Sequence, residues 1–490
     1  MDPRSFTFEG GETAIVHAVV DGLRMYWIER DGPFRAVLVF RIGMADEPLP
    51  KRGICHLVEH LAIAPETRLY SYNGWSSPDD TGFWAEGTRD EALGYLTSVA
   101  AGLRELPVDR FETEKRILAT EGQNSGNSMP TVLLRSRCGA RGYGRPSFEE
   151  FGLYRLSPQE AQEWADRYFV AENAVLFMSG APPEGFTLEL RRGEAQPLPA
   201  PTSIDRLALP TSIEMGQGAV GAGMMVERGP VTGIALATLR ATATQRLRYE
   251  LGHSYTVWSD YQLIGASEAH LTVGADCMDA GAVDVLSTLA EVIDRLAEDG
   301  PDTAALALEV ERFRRMLQDP LDLLLWAASA SLIGVSLEEL DEQNRGLAGI
   351  GPADVAAVIR EGAARMIMLL PNGVAAPAGR FHPYPHFSPR AVEGRMVRPA
   401  GLRRWLGLRS AGIVVGDEGV SAVYANGNIT TIAWDDVEAV LDWNDGTVGL
   451  IGCDGDHFPV PPQVFGASGV AKVREAVEQH LAPELRVPMP

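Results

Sequence analysis

Between His17 and Arg41 the apolar positions fall into three short runs rich in branched and aromatic side chains: Ala18-Val19-Val20, Leu23 to Ile28 and Ala36 to Phe40. Gly22 and Asp31-Gly32 separate them, so the segment predicts paired strands. The period then changes. After Gly53, Ile54, Leu57 and Leu61 recur at helical spacing, predicting a helix whose apolar stripe faces the sheet and which ends before Pro65. Tyr70 to Glu86 returns to a strand, a turn at Pro78-Asp79-Asp80, and a second strand. Thr88 with Glu91 is a capping box for a helix to about Leu103. Pro107 and Asp109 start the next helix, Arg110 to Glu121, with Glu112 at the reciprocal cap position. Ser157-Pro158-Gln159-Glu160 caps another helix, to about Tyr168, ahead of a buried strand within Phe169 to Gly180.

Pro182 to Pro210 is rich in proline and charge and reads as a linker. Beyond it come strand-like Ala219 to Val226, an apolar helix from Gly233 to about Leu251, and strands over Ser254 to Leu263 and Ala269 to Ala275. Helices follow from about Ala280 to Glu298 and from Asp302 to Met316, with a shorter one opened by Ser336-Leu337-Glu338-Glu339. Pro377 to Arg409 is rich in proline and arginine. Its prolines keep His382 and His386 off a shared helical face, and its six arginines from Arg390 read as a solvated connector. From Ala411, β-rich runs alternate with the turn signals Asp417-Glu418-Gly419, Asn426-Gly427, Asp445-Gly446 and Asp454-Gly455. A last helix, Ala467 to Leu481, carries Val470, Val473, Val477 and Leu481 on one stripe.

Composition narrows the function. A chain of 490 residues exceeds a single core, and three domains are expected. The net charge of -23 excludes nucleic acid as a general partner and suits neutral or basic peptides. No run approaches eighteen apolar residues, so no transmembrane segment is expected, and the start lacks a signal-peptide pattern, which predicts a cytoplasmic protein. Cys55, Cys138, Cys277 and Cys453 form no C-x-x-C pair and read as reduced structural thiols.

The candidate chemistry lies in the first helix. His56-Leu57-Val58-Glu59-His60 places two imidazoles four residues apart on one face, with a carboxylate beside them. H-x-x-E-H is the inverted zinc-protease pattern, in which the histidines bind Zn²⁺ and Glu59 serves as base toward the metal's water. Catalytic zinc ordinarily keeps three protein ligands. Glu114 and Glu121 lie two turns apart on one face of the later helix, a pattern that alone is most often a solvated acidic face. Beside an incomplete ligand set, Glu121 becomes the candidate third ligand and Glu114 a carboxylate that orients a histidine or positions the ligand helix.

The stretch Gly53 to His60, the segment Asn73 to Phe83, and Glu114 with Glu121 together resemble the pitrilysin-like (M16) zinc metallopeptidases, although the interval from His60 to Glu121 is shorter than in that family. The resemblance implies an α+β chain of two M16-type α/β domains, each an antiparallel sheet with helices packed on one face. They would span 1–190, carrying H-x-x-E-H, and 205–372. It implies one zinc per protomer on His56, His60 and Glu121, Glu59 as general base, and Glu114 in support. Arg248 and Tyr255 match the family's substrate-clamping pair, and their N–H and O–H groups suit a developing oxyanion. Asn73, Gly74, Trp75 and Ser76 are the expected edge strand to which a peptide substrate adds. In half-size members one subunit's first domain faces its partner's second, which implies a homodimer, or a heterodimer with another M16-like subunit. After a connector at 373–409, the strand meander and helix of 410–490 resemble a bacterial pleckstrin-homology-like (PH-like) domain of unspecified partner. The expected function is a zinc endopeptidase for peptides or unfolded segments, with leader removal from peptide precursors as a narrower option. The alternative is a non-hydrolytic scaffold or partner subunit recruited through the PH-like domain.

Overall fold

The computed structural model describes residues 3–9, 11–63, 71–124, 128–214, 218–377, 379–400 and 411–490. Pro65, Tyr70 and the arginines at 403, 404 and 409, which figured in the expectations, lie outside the described residues. Strands β1 (Arg4–Thr7), β2 (Ala14–Val20), β3 (Leu23–Trp27), β4 (Phe34–Phe40), β5 (Ser71–Ser76), β6 (Thr81–Gly87) and β7 (Ala174–Met178) form one sheet. Their order is β1-β2-β3-β7-β4-β6-β5. The turn at Asp21 and Gly22, with φ of 50° and 87°, closes the β2–β3 hairpin as expected. The Asp31-Gly32 signal misleads, because β3 and β4 do not pair. β7 lies between them, parallel to β3 and antiparallel to β4. The sheet is therefore mixed rather than purely antiparallel.

The helices between these strands are α1 (Ile54–Ala62), α2 (Arg89–Arg104), α3 (Phe111–Asn124), α4 (Met129–Cys138) and α5 (Pro158–Tyr168). The capping boxes at Thr88/Glu91 and Ser157/Glu160 both form, and each fixes a helix start. Helix α3 begins instead as a 3₁₀ turn at Val108–Arg110. Ile54, Leu57 and Leu61 of α1 are buried with Leu38, Phe40 and Phe83 of the sheet in one core.

The second sheet repeats the plan. It contains β8 (Thr211–Glu214), β9 (Ala219–Glu227), β10 (Val257–Ile264), β11 (Glu268–Asp276), β12 (Met366–Leu370) and β13 (His382–Pro383), in the order β10-β11-β9-β12-β8-β13. The parallel pair β8/β12 and the antiparallel pairs β12/β9, β9/β11 and β11/β10 match β3/β7, β7/β4, β4/β6 and β6/β5. Its helices are α6 (Pro230–Thr244), α7 (Ala282–Asp299), α8 (Thr303–Met316), α9 (Pro320–Leu332), α10 (Leu337–Gly346) and α11 (Pro352–Ala364). By position, α6 and its π-helical extension Gln245–Glu250 correspond to α1, and β10 to β5.

The two halves also exchange helices. Val132 and Leu133 of α4 pack with Ile213, Ile367 and Leu369 on the outer face of the second sheet. Leu323, Leu324, Ala327 and Ala328 of α9 pack with Tyr26, Ile28 and Val175 on the outer face of the first. Both sheets are thus covered on two faces, the second cover coming from the other half. This is why α9 is so apolar, and among the described residues no single helix is long and apolar enough to cross a membrane.

At the seam between the halves, Gln262 of β10 donates a hydrogen bond to Asp79, in the β5–β6 turn. Burial pushes the Asp79 carboxyl up to about 7, against the pull of a hydrogen bond from Tyr143 and of the Arg41 charge. A carboxyl whose folded pKa exceeds its unfolded value binds the proton preferentially when folded, so its contribution weakens as pH rises from about 4 to about 7. At 1.36 kcal/mol per unit, that is on the order of 4 kcal/mol. Asp79→Asn should therefore flatten the fall in stability between about pH 4 and pH 7, read by denaturant melts at each pH. An unchanged profile would remove Asp79 as its cause.

The C-terminal unit stacks β14 (Arg395–Val397), β15 (Gly412–Val415), β16 (Gly419–Val423) and β17 (Ile429–Ala433) against a second sheet, with α12 (Pro462–His480) beside them. The second sheet has the order β20-β19-β18-β21, from β18 (Val437–Trp443), β19 (Val448–Gly452), β20 (His457–Val460) and β21 (Arg486–Met489). The turn signals expected at 417–419, 426–427, 445–446 and 454–455 each separate two paired strands. Within 373–409, expected as a plain connector, β13 joins the second sheet and β14 the C-terminal one.

This unit is docked on the first. Ala439, Leu441, Ile451 and Val487 form one apolar cluster with Leu49, Ala140, Phe148 and Phe151. Gly139, at φ 66°, lets the Cys453 carbonyl approach so closely that a Cβ there would sit 2.1 Å from it. Arg206 bridges Asp454 and Asp456 at 2.5 and 2.7 Å. Those partly exposed pairs are each worth at most about 1 kcal/mol. Each buried apolar side chain contributes about 1.5–3 kcal/mol, so the apolar cluster dominates the seam.

Candidate metal centre

Helix α1 starts at Gly53 with φ 99°, a left-handed conformation that favours glycine. A Cβ there would also lie 2.8 Å from the Cβ of Glu150. Glu47, fully buried, accepts hydrogen bonds from the backbone N–H of Gly53 (2.9 Å) and Cys55 (2.8 Å) and pairs with Arg52 at 2.6 Å. The helix N-terminus is thereby capped by a carboxylate, which its dipole favours. Cys55 is packed, as expected, and burial raises its thiol pKa.

One turn on, His56 and His60 stand with ring centroids 4.8 Å apart and planes at 87°. Each ring's Nδ1 faces a carboxylate. His60 Nδ1 lies 3.1 Å from Glu114 Oε2, and His56 Nδ1 lies 3.2 Å from both oxygens of Glu150. Glu114 is in turn held by Arg110, one helical turn before it. Both Nε2 atoms point the other way. Glu121 Oε2 lies 3.7 Å from His56 Nε2 and 3.8 Å from His60 Nε2. Burial opposes charge on His56, but Glu150, Glu59 and Glu121 outweigh it and raise its pKa.

Glu59 completes the cluster, with its Oε2 3.7 Å from His60 Nε2. His56, Glu59 and His60 bring their ligand atoms within 4.8 Å of one another. Burial pushes the Glu59 carboxyl up to about 7, relieved by His56 and reinforced by Glu121, Glu114 and Glu150. A carboxyl poised near neutrality suits proton transfer in either direction.

The donor set fits zinc. Tetrahedral bonds of about 2.0–2.1 Å put ligand atoms about 3.3 Å apart. Separations of 3.7 and 3.8 Å are slightly wider than that and close on a small inward movement of exposed Glu121. The carboxylates on Nδ1 leave both Nε2 lone pairs free for a cation.

Strand β5 is the outermost strand of its sheet and runs beside α1. Gly74 is where the two meet, since a Cβ there would lie 1.9 Å from Glu59 Oε1. Tyr95 Oη donates to the Asn73 carbonyl at 3.3 Å and pins the strand from α2. Trp75 Nε1 donates to Asp80 at 2.7 Å, so its ring lies back over Gly82.

Arg248 and Tyr255 meet each other in the second half. Arg248, in the π-helical segment, carries its guanidinium over the Tyr255 ring at 4.6 Å. Asp276 Oδ1 holds the loop, accepting from the backbone N–H of Tyr255 (2.9 Å) and Thr256 (2.7 Å), while the Tyr255 side chain stays exposed. Among the described residues, no hydrogen bond, ion pair or ring contact joins Arg248 or Tyr255 to His56, Glu59 or His60.

Glu47, Glu150 and Tyr95 had no place in the sequence reading. Glu150 follows Glu149 ahead of an aromatic residue, as many solvated pairs do, and no spacing ties it to His56, 94 residues away.

No protein-family model matches the sequence, and no curated protein sequence does. Solved structures share the fold. A protease from Helicobacter pylori superposes with a TM-score of 0.60 at 14% identity, over 76% of this chain and 99% of its own. A peptidase M16 inactive domain from Pseudomonas fluorescens gives 0.61 at 11%, over 77% and 100%. Pitrilysin gives 0.58 at 14%, over 77% of this chain and 48% of its own. At such identities the likeness establishes the fold, a scaffold common to M16 peptidases and to an M16 domain described as inactive.

Proposed function

We propose that this chain is a zinc-dependent endopeptidase of the M16 type. The observation that carries the reading is the convergence of His56 Nε2, His60 Nε2 and Glu121 Oε2 beside a buried carboxyl that rests on an edge strand. One zinc per protomer would be held by those three side chains and, when bound, supplies Lewis acidity toward a water and a peptide carbonyl. Glu59 takes the proton of that water on its carboxylate and returns it to the leaving amine nitrogen. Glu114, fixed by Arg110, holds His60 through Nδ1. Strand β5, from Asn73 to Ser76, offers the edge that no described strand covers to an extended peptide, which favours peptides or unfolded segments over folded proteins. Arg248 and Tyr255 donate to the developing oxyanion.

In this reading the active unit is a homodimer, or a heterodimer with another M16-like subunit, and the protein acts in the cytoplasm. The first two domains are taken as 1–190 and 205–372. The C-terminal unit, four strands facing a second sheet with a helix that is broken at Gly466 and then runs on to His480, supports the PH-like resemblance. The test is hydrolysis of a mixed peptide library by purified protein, with and without a chelator. Activity lost on chelation and restored by zinc is expected. Undiminished cleavage without metal would overturn the reading. The likeness to an inactive M16 domain favours a second reading, a scaffold that binds peptides without cutting them. Binding without cleavage in the same library experiment would select it.

Gly74 provides a sharper check. Gly74→Ala forces the Glu59 carboxylate off β5. The variant should retain zinc, because no ligand is touched, yet lose kcat by about 10²-fold or more, the usual contribution of a well-placed base. Unchanged kcat would show that the contact is incidental.

A further inference from the structure

Resting on the metal site above, we propose that Glu150 is a positioning residue for His56 and that the C-terminal unit holds it there. The last strands of the chain would then set the metal affinity of a site in the first unit. Both oxygens of Glu150 lie 3.2 Å from His56 Nδ1, so the carboxylate accepts the hydrogen bond of Nδ1–H and leaves the Nε2 lone pair as the ligand. Glu150 is the residue at the start of a short 3₁₀ turn, Phe151–Tyr154, with no side-chain cap of its own. Its carboxylate is steadied by Arg52 at 3.6 Å, and Arg52 is locked by Glu47.

Both segments that carry these carboxylates are gripped from outside the first unit. Leu49, two residues after Glu47, and Phe148 and Phe151, which flank Glu150, belong to the apolar cluster of Leu441, Ile451 and Val487. Strand β21 lies against the Phe151–Tyr154 turn, and β18 against the turn Leu49–Lys51. The other histidine has no such dependence. Glu114 is held by Arg110 within the first unit, so the two rings of one site are oriented from different parts of the chain. Carboxylates on the far nitrogen of a ligand histidine typically account for about 10–100-fold in metal affinity.

Zinc affinity of the full-length chain, measured by competition with a chromophoric chelator, tests both parts, with thermal unfolding recorded for each variant. Glu150→Gln keeps the shape but offers one carbonyl oxygen and should bind zinc about 10–100-fold more weakly. Leu441→Ala, at the seam, should weaken zinc by a smaller factor. Val473→Ala, in the core of the C-terminal unit away from the seam, should leave zinc affinity unchanged. Should Leu441→Ala fail to fold, Ile451→Val removes a single methylene from the same cluster. Wild-type affinity in Glu150→Gln overturns the positioning role. Equal affinities in the seam and core variants overturn the part assigned to the C-terminal unit. A wild-type protein that binds no zinc while Glu150→Gln folds normally overturns the metal reading itself, and this inference falls with it.

Discussion

Glu59→Gln is expected to bind one zinc per protomer with wild-type affinity and to lose peptide hydrolysis by about 10²–10⁴-fold, the usual worth of a positioned general base. The amide fits where the carboxylate sits, against the bare Cα of Gly74, so neither β5 nor α1 need move. The ligand atoms of His56, His60 and Glu121 are untouched. What the amide cannot do is accept the proton that the carboxylate takes from water. Without a cation, burial and the neighbouring carboxylates raise the Glu59 carboxyl to about 7, and a zinc ion beside it would favour the ionised form that accepts the proton. The measurement pairs metal content with kcat for one peptide. Normal kcat in Glu59→Gln would sink the mechanism. A wild-type protein that holds zinc tightly and binds peptides without cutting them would favour the scaffold reading.

Local chemistry made much of the fold legible. The capping boxes at Thr88 and Ser157 and the four C-terminal turn signals are decided within a few residues, and the structure keeps them. Adjacency in the sheet is not decided locally. Asp31-Gly32 looks like a hairpin turn, yet β7, from over 130 residues later, enters between β3 and β4. The apolar helix α9 gave no reading of its own because its pattern lacks a polar face. Its surroundings, the first sheet on one side and its own half on the other, explain why.

The site divides the same way. His56, Glu59 and His60 share a helical face, and spacing alone brings them out; Glu114 and Glu121 share another, but that spacing also fits a solvated acidic face, and only the incomplete ligand set of the first helix singles them out. Glu150 meets His56 through a tertiary contact, and Glu47 bonds the start of α1 from the loop before it, while the residues beside them, Leu49, Phe148 and Phe151, pack on a seam built by residues beyond 430; no sequence period records that. The neutral look of Glu149-Glu150 is therefore what the physics predicts for a residue whose partner is remote in sequence.

Arg248→Ala alone should be nearly inactive, and mixing it with Glu59→Gln should restore activity. The repeat of the two halves supports this. The π-helical extension that carries Arg248 occupies in the second half the position that α1 occupies in the first, and β10 takes the place of β5. Both halves thus present the same kind of face, one bearing ligands and base, the other an arginine packed on an exposed tyrosine. Within one chain, no described bond joins Arg248 or Tyr255 to the histidines or Glu59. A two-fold pair sets the first half of one protomer against the second half of its partner, and does so twice. In a mixed dimer, one site then joins the Glu59 of the Arg248→Ala protomer to the Arg248 of the Glu59→Gln protomer, while the other site is doubly defective. Random exchange makes half the dimers mixed, so equal mixing should recover roughly a quarter of wild-type activity. Mixed dimers isolated by two affinity tags should show roughly half. Inactive mixed dimers would mean that each site is completed by its own chain, through a closure that brings Arg248 to Glu59 within one protomer.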